Sequence, residues 1–494
     1  MTTVDSERLL TREMNGRPWS LRIGHGLWNA MSTFVNRDDQ DEHGGALLCG
    51  IASGATGPVL LAREWVPAID GVEYIPGTVG YRALAPAFVR RMAKRARREQ
   101  WAVLFVHGHG KHGTSVAFSS VDMASHESGY GALLDIAGGP PVGALVITDF
   151  AVAGDIWQHD GGRASLRAAT ILGPNIHTLE PAPARAGHDG IGDDRQARLF
   201  GARGRDILAE TRVAVVGAGG AGSLIVELLA RLGVGTIVLI DDDRVEIHNL
   251  PRLIGSRRRD AFAWLEDRPW NLLPKSLRNW LGRHTAYKTA VCARTAKRAS
   301  RHVRVEQVRL DVSEPEAASA LTGCDWIFLA ADTATARLVV NKVSHQYLVP
   351  ATQVGVKVDV DDDGVVGTVH AVSRTIMPEA GCLDCQGLID HAALAMESLP
   401  DALREAADYG TGEPAPAVAA LNALAVAPAV SEFMLAMTGL SEQTEILHHR
   451  LLARRGKWAR VAPRRGAGCR TCSADAGSSL ARGDTEPIAG VRLR

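Results

Sequence analysis

The sequence predicts an α/β chain built from two successive units, a smaller α+β unit over residues 1–173 and a larger unit with a mostly parallel sheet over residues 193–475. Three observations lead to this reading. Residues 211–241 run as strand, glycine-punctuated turn, helix and second strand. Short β-branched runs separated by a basic helical stretch fill the first 150 residues. Two CxxC pairs stand far apart in the second half, a metal pattern rather than a disulfide framework.

Taken in order, residues 19–23 read as a strand, 26–35 as a helix and 38–42 as an acidic loop. Residues 46–49, 59–66, 102–106 and 143–148 read as strands, with the basic helix 86–98 between the second and third. The chemistry of this unit lies at Val106-His107-Gly108-His109 and at Phe118-Ser119-Ser120-Val121-Asp122. A strand ending in His-x-His puts two imidazoles on one edge. An aspartate on the next helix can then close a zinc site of His107, His109 and Asp122 that keeps a position open for water. His112, His126 and Glu127 lie nearby and are read as bystanders.

This order, His-x-His followed by Ser-x-x-Asp, resembles the JAMM (JAB/MPN) metalloproteases that release ubiquitin-like proteins from their conjugates. The resemblance implies a catalytic zinc, Glu42 as general base and Ser119 as support for the oxyanion. Two departures stand out: nine residues separate His109 from Ser119 where about seven are usual, and Gly110 replaces the usual proline. A JAMM-like unit without activity is the rival reading.

Residues 174–192 hold three prolines without periodicity and read as a linker. Residues 213–216 then form an apolar strand, Gly217, Gly219, Gly220 and Gly222 shape the turn, and 224–232 show helical spacing. The strand 236–240 ends at Asp241, where a nucleotide-binding βαβ unit needs an acid for the ribose. Alone, this pattern specifies a nucleotide and leaves NAD or FAD open.

Asp241-Asp242-Asp243-Arg244-Val245-Glu246-Ile247-His248-Asn249-Leu250-Pro251-Arg252 narrows the choice, because it resembles the D-x-D-x-V-x-x-x-N-L-x-R signature of the ThiF/MoeB and ubiquitin-activating family. That family adenylates the carboxyl terminus of ubiquitin-like proteins. The resemblance covers roughly residues 193 to 475, a Rossmann-like fold, and implies ATP and magnesium as cofactors. It assigns Asp241, Asp243, Asn249, Arg252 and Lys288 to the nucleotide and Asp332 to magnesium, with Arg337 and Asn341 on the helix after it. It also gives Arg195 the phosphates of a neighbouring subunit's ATP, which implies a homodimer.

Thirty-five residues separate Arg252 from Lys288, against the family's dozen or so, and they include Trp264, Trp270 and Trp280. They read as a helical insertion packed on its own domain, with a partner-anchoring surface as the other reading. Strands are expected at 303–310, 326–330 and 350–358, with a hairpin over 360–372 turning at Asp362-Asp363-Gly364. Cys382, Cys385, Cys469 and Cys472 can close a tetrahedral structural zinc site, as ThiF/MoeB-like proteins do. No cysteine stands in 408–417, where the ubiquitin-activating enzymes carry their thioester nucleophile, so an outside nucleophile, a separate thiol protein or Cys292 remains to take the acyl group.

With 55 basic against 55 acidic residues, charge points to neither nucleic acid nor an anionic membrane. The polar amino terminus lacks the apolar core of a signal peptide, and 415–440 reads as a buried helix, so a cytoplasmic, bacterial-type protein is expected. Residues 476–494 read as a flexible tail. The combined expectation is a bifunctional enzyme that activates and deconjugates a ubiquitin-like or sulfur-carrier-like protein with a glycine terminus, with a conjugating-enzyme-like protein as possible partner. The alternative is adenylation of a small carboxylate or peptide for sulfur transfer, with the first unit only binding.

Overall fold

The computed structural model describes residues 16–39, 41–54, 57–75, 82–110, 112–182, 194–262, 274–361, 363–399, 417–475 and 477–492. The first sheet contains β1 (Trp19–Gly24), β2 (Gly44–Gly54), β3 (Gly57–Pro67), β6 (Ala102–Gly108), β7 (Val142–Ile147), β8 (Val152–Trp157), β9 (Arg163–Leu172) and β10 (His177–Leu179), while β4 (Tyr74–Ile75) and β5 (Ala83–Leu84) form a small ribbon. Its order is β1-β3-β2-β6-β7-β8-β9-β10, and β1 also pairs with β9, closing the sheet on itself. Three helices cover it: α1 (His25–Val35), α2 (Pro86–Glu99) and α3 (Ser120–Ala137).

The second sheet holds β11 (Arg212–Val216), β12 (Thr236–Ile240), β13 (Arg304–Val308), β14 (Trp326–Leu329), β15 (Ala351–Val360), β16 (Val366–Ile376), β17 (His448–Leu452) and β18 (Lys457–Val461). Its order is β13-β12-β11-β14-β15-β16-β17-β18, parallel through β15 and antiparallel beyond. The expected largely parallel sheet with an antiparallel completion is therefore present, as is the hairpin, which turns at Gly364 with φ +78°. Among the described residues the helices are α4 (Asp194–Glu210), α5 (Gly220–Leu232), α6 (Lys275–Gly282), α7 (Lys288–Ala299), α8 (Pro315–Thr322), α9 (Ala334–Gln346), α10 (His391–Glu397) and α11 (Ala419–Met437). α11 is long and apolar enough to cross a membrane, yet here it packs on α5, β15 and β16.

Three stretches differ from the sequence reading. Residues 177–179, inside the expected linker, form β10 against β9. The expected tail is ordered over 477–492: Gly483 bridges to Ile51 of β2, Asp484 N donates to Ile51 O at 2.8 Å, and Arg492 N donates to Ser313 O at 2.8 Å. Its backbone is held by β2 of the first unit and by the end of α9 and the loop before α8 in the second, a signal that side-chain periodicity does not carry. In the insertion, Trp264 and Trp270 lie outside the described residues, while Trp280 is exposed and stacks on His284, one turn along, instead of entering the core.

The two sheets are docked. The half-buried Arg22 guanidinium donates to the carbonyls of Thr322 (3.3 Å), Cys324 (3.1 Å) and Tyr347 (3.0 Å), at the amino-terminal edge of the second sheet. Glu379, at φ +71°, accepts from Gly26 N (2.8 Å) and Leu27 N (3.1 Å), so a carboxylate of one unit meets the positive end of a helix in the other. Arg63 of β3 reaches Leu480 O, Asp475 O and Ser478 Oγ of the carboxyl-terminal stretch.

Candidate functional site

The first site forms where β11, β12 and β14 end. Gly217 follows β11 at φ +91°, and a Cβ there would meet Ala331 N at 2.7 Å. A Cβ on Gly222 would meet Gly217 O at 1.8 Å, whereas one on Gly219 would meet nothing within 4 Å. The loop is therefore tight against its own sheet and open at Gly219, as a cradle for a ligand at the start of α5 must be.

Asp241 holds this loop: its Oδ2 accepts from Ala218 N at 2.7 Å and its Oδ1 from Asp243 N at 2.9 Å, and burial pushes its carboxyl above the usual range. Each oxygen keeps a second lone pair for a ribose. Lys288 at the start of α7 lies 2.5 Å from Asp243 Oδ2, and Arg252 packs beside Gly220 with its guanidinium donating to His248 O at 3.0 Å. Asp332 is exposed just after β14, and the following helix start is capped by Thr333 and by Glu397, which accepts from Ala334 N and Thr335 N.

Asn249, expected at the nucleotide, and Asn341, on the helix after Asp332, each also bond the backbone. Asn249 Oδ1 accepts from Glu246 N at 3.0 Å and closes a short 3₁₀ turn. Asn341 Oδ1 accepts from Leu383 N at 2.8 Å, tying α9 to the first cysteine pair and away from the glycine loop. Arg195 is exposed on α4, whose Gln196 reaches Arg231 O at the far end of α5 from the glycines. A helix of that length spans ~18 Å at 1.5 Å per residue, so Arg195 does not join its own chain's loop. Cys292 is buried with Sγ 3.7 Å from Ala218 O, and burial pushes its thiol up to about 12, the opposite of an activated nucleophile. Of residues 408–417, where a thioester cysteine was sought, 408–416 lie outside the described residues.

The second site lies in the first sheet. His107 is the last residue but one of β6 and His109 follows the strand; their Nε2 atoms are 3.2 Å apart. They lie 3.5 and 3.6 Å from Asp122 Oδ1 and Oδ2. Tetrahedral zinc with ~2.0–2.1 Å bonds sets its ligand atoms about 3.3 Å apart, so this triangle fits one. Two imidazole nitrogens facing each other cannot both donate, which a shared cation resolves. Burial works against the Asp122 carboxylate, but hydrogen bonds from both imidazoles and Ser119 outweigh it and hold Asp122 well below the usual range. Glu42, half-buried before β2, feels the charges of all three residues, and its burial raises its carboxyl. Ser119 caps α3: its Oγ donates to Asp122 Oδ2 at 2.7 Å while accepting from Asp122 N at 3.2 Å.

The bystander residues stay outside this triangle. His126 and Glu127 belong to a buried network in which Asp155 accepts from His126 Nδ1 (2.9 Å), Trp157 Nε1 (3.0 Å) and the Arg163 guanidinium. Asp155 and Arg163 were missed in the sequence, where a charge inside a strand reads as surface.

The third cluster joins the CxxC pairs. Cys382 Sγ lies 3.7 Å from Cys469 Sγ and Cys385 Sγ 3.6 Å from Cys472 Sγ. Those spacings exceed a disulfide's ~2.05 Å and match the ~3.8 Å edge of a tetrahedral zinc–thiolate site.

The sequence profile of the ThiF family matches residues 193–469. Among curated proteins, the SAMP-activating enzyme E1 of Haloferax volcanii is 26% identical over 185 residues, 37% of this chain and 56% of that protein. Ubiquitin-like modifier-activating enzyme 5 of Caenorhabditis elegans is 52% identical over 59 residues, 12% of this chain and 14% of that protein. The tRNA threonylcarbamoyladenosine dehydratase of Escherichia coli is 45% identical over 62 residues, 13% and 23% respectively. The chain thus spans little more than half the length of the curated relatives it matches, and often less. Among solved structures, E. coli MccB with ATP is 19% identical with a TM-score of 0.41, covering 57% of this chain and 75% of that one.

Proposed function

Because the chain belongs to the ThiF family, we propose that its second unit adenylates the terminal carboxylate of a ubiquitin-like or sulfur-carrier-like protein ending in glycine, with ATP consumed and pyrophosphate released. One observation carries this reading: Lys288, Arg252, Asp243 and Asp332 surround a glycine cradle at the carboxyl ends of parallel strands, where open α/β sheets take their ligands. Arg252 and Lys288 draw the phosphates and stabilise the charge that builds on the departing pyrophosphate. Magnesium held by Asp332 would neutralise phosphate charge during that step. Arg195, remote from its own glycine loop, acts on the partner of a homodimer. With Cys292 buried and its thiol raised, the activated acyl group passes to an outside nucleophile or to a separate thiol carrier, a conjugating-enzyme-like protein.

The first unit, in the same proposal, is a JAMM-type peptidase acting near the same carboxyl terminus. Zinc held by His107, His109 and Asp122 would supply Lewis acidity toward water and the scissile carbonyl. Glu42 takes the proton of the attacking water and returns it to the leaving amine, a role its raised carboxyl suits. Ser119 Oγ steadies the oxyanion by turning from Asp122.

ATP–pyrophosphate exchange with synthetic octapeptides ending in Gly-Gly tests the first activity, and cleavage of a linear ubiquitin-like fusion tests the second. Exchange with small carboxylates alone would move the substrate away from proteins. Intact fusion in the presence of stoichiometric zinc would leave the first unit as a binding module.

A further inference from the structure

Resting on the adenylation reading, we infer that a row of arginines across the antiparallel half of the second sheet binds acidic side chains located three to five residues before the substrate's terminal carboxylate. The row starts level with the end of β14, where Leu329 pairs with Gln353 of β15 and Gln353 pairs with Arg374 of β16. The Arg374 guanidinium donates to Gln353 Oε1 at 2.9 Å. On β17, Arg450 pairs with Val372, which lies on the same face as Arg374 because side chains alternate along a strand. The opposite face carries Thr375 and His449, both engaged by Glu432 of α11. From the first turn of α9, five positions past Asp332, Arg337 adds a third guanidinium to the row.

Among the described residues, no carboxylate is paired with these three cations. Burial, Arg337 and Arg450 lower Arg374 to about 10, and no carboxylate contributes there. Among the described residues Arg450 pairs with His370, at 2.9 Å, and not with an acid. Arg337 Nε and His448 Nε2 are both buried without a partner among the described residues, and His448 is the residue that follows the β16–β17 register to Arg374. Like charges gathered at a half-buried face destabilise the chain unless an anion joins them.

The anion is not the triphosphate. The glycine loop follows β11, and Asp243 and Lys288 lie beyond β12, so the nucleotide residues sit on one side of β14 and the arginine row on the other. A substrate tail whose terminal carboxylate lies by Asp332 leaves across β15, β16 and β17. Strands are ~4.8 Å apart, so β16 lies roughly 10 Å and β17 roughly 14 Å from β14. At ~3.4 Å per extended residue, those distances are about three and four to five residues from the terminus. Guanidinium forks suit carboxylates at those positions.

Fluorescence anisotropy on the full chain with magnesium and a non-hydrolysable ATP analogue tests this. Labelled octapeptides ending in Gly-Gly carry Asp and Glu, or Asn and Gln, at the third to fifth positions from the end. The acidic peptide is expected to bind at least tenfold more tightly at low salt, and R374Q/R450Q to erase the difference without changing ATP affinity. R450Q alone, at an exposed position, should reduce the preference severalfold and guards against misfolding of the double variant. Equal affinity, tighter binding of the neutral peptide, or no binding of either overturns the row. The adenylation reading fails separately: acidic-peptide binding through the row without any pyrophosphate exchange would sink that reading and leave the row standing.

Discussion

Lys288 and Asp243 are joined twice: the Lys288 ammonium lies 2.5 Å from Asp243 Oδ2, and Lys288 N donates to the Asp243 carbonyl at 3.0 Å. The insertion between Arg252 and Lys288 therefore leaves the lysine at the mouth of the glycine loop, facing an exposed carboxylate that a phosphate can replace. Lys288→Ala is expected to slow ATP–pyrophosphate exchange by about 10²–10³-fold, the usual effect of removing one donor to developing charge. Exchange within threefold of the parent chain would remove Lys288 from the reaction.

Two zinc ions per chain are expected by elemental analysis of protein purified without chelator. Cys469→Ser should lower the count to one and depress thermal stability, because a structural zinc contributes folding energy. His109→Ala should also lower it to one, by emptying the other site. A single zinc in the parent chain, lost with Cys469→Ser, would leave the His107–His109–Asp122 triangle without its metal.

Glu42→Gln should keep both zinc ions and lose fusion cleavage by about 10²–10⁴-fold, the range for a general base. Unchanged cleavage would assign proton transfer to another group.

The glycine loop and the two groups of residues able to hold a metal were legible from sequence because each needs fixed residue types at short spacing: Gly217 at φ +91°, His-x-His at a strand end, CxxC at two tight turns. Asn249 and Asn341 show the limit. Each side-chain oxygen accepts a backbone N–H, a structural use that spacing does not reveal. β8 and β9 were hidden by Asp155 and Arg163, whose buried pairing makes a polar residue compatible with a core strand. The arginine row could not be read at all, since Arg374 and Arg450 meet only through the sheet register and Arg337 joins them from α9.

Arg22→Ala should lower stability by roughly 1.5–3 kcal/mol, since it removes hydrogen bonds from a half-buried charged donor and leaves the carbonyls of Thr322, Cys324 and Tyr347 without that partner. Urea denaturation reads this directly. A loss below about 0.5 kcal/mol would mean that the two units are held without this contact.

Stability should also fall with acid. His345 is fully buried with both ring nitrogens unpartnered, and burial lowers it to about 3 from an ordinary 6.5. The folded chain thus binds this proton more weakly than the unfolded chain. Its effect is absent above pH ~6.5, grows by about 1.4 kcal/mol per pH unit below that, and is complete near pH 3. Between pH 7.5 and 5, His345→Leu should lose about 2 kcal/mol less than the parent chain. An identical pH profile for both would show that this imidazole is solvated when the chain is folded.

The most direct test of the central claim is exchange of labelled pyrophosphate into ATP by the intact chain. Exchange should require magnesium and a peptide or protein ending in glycine, and Asp332→Asn should abolish it. Protection from thermal unfolding by NAD and not by ATP, with no exchange for any carboxylate offered, would contradict it.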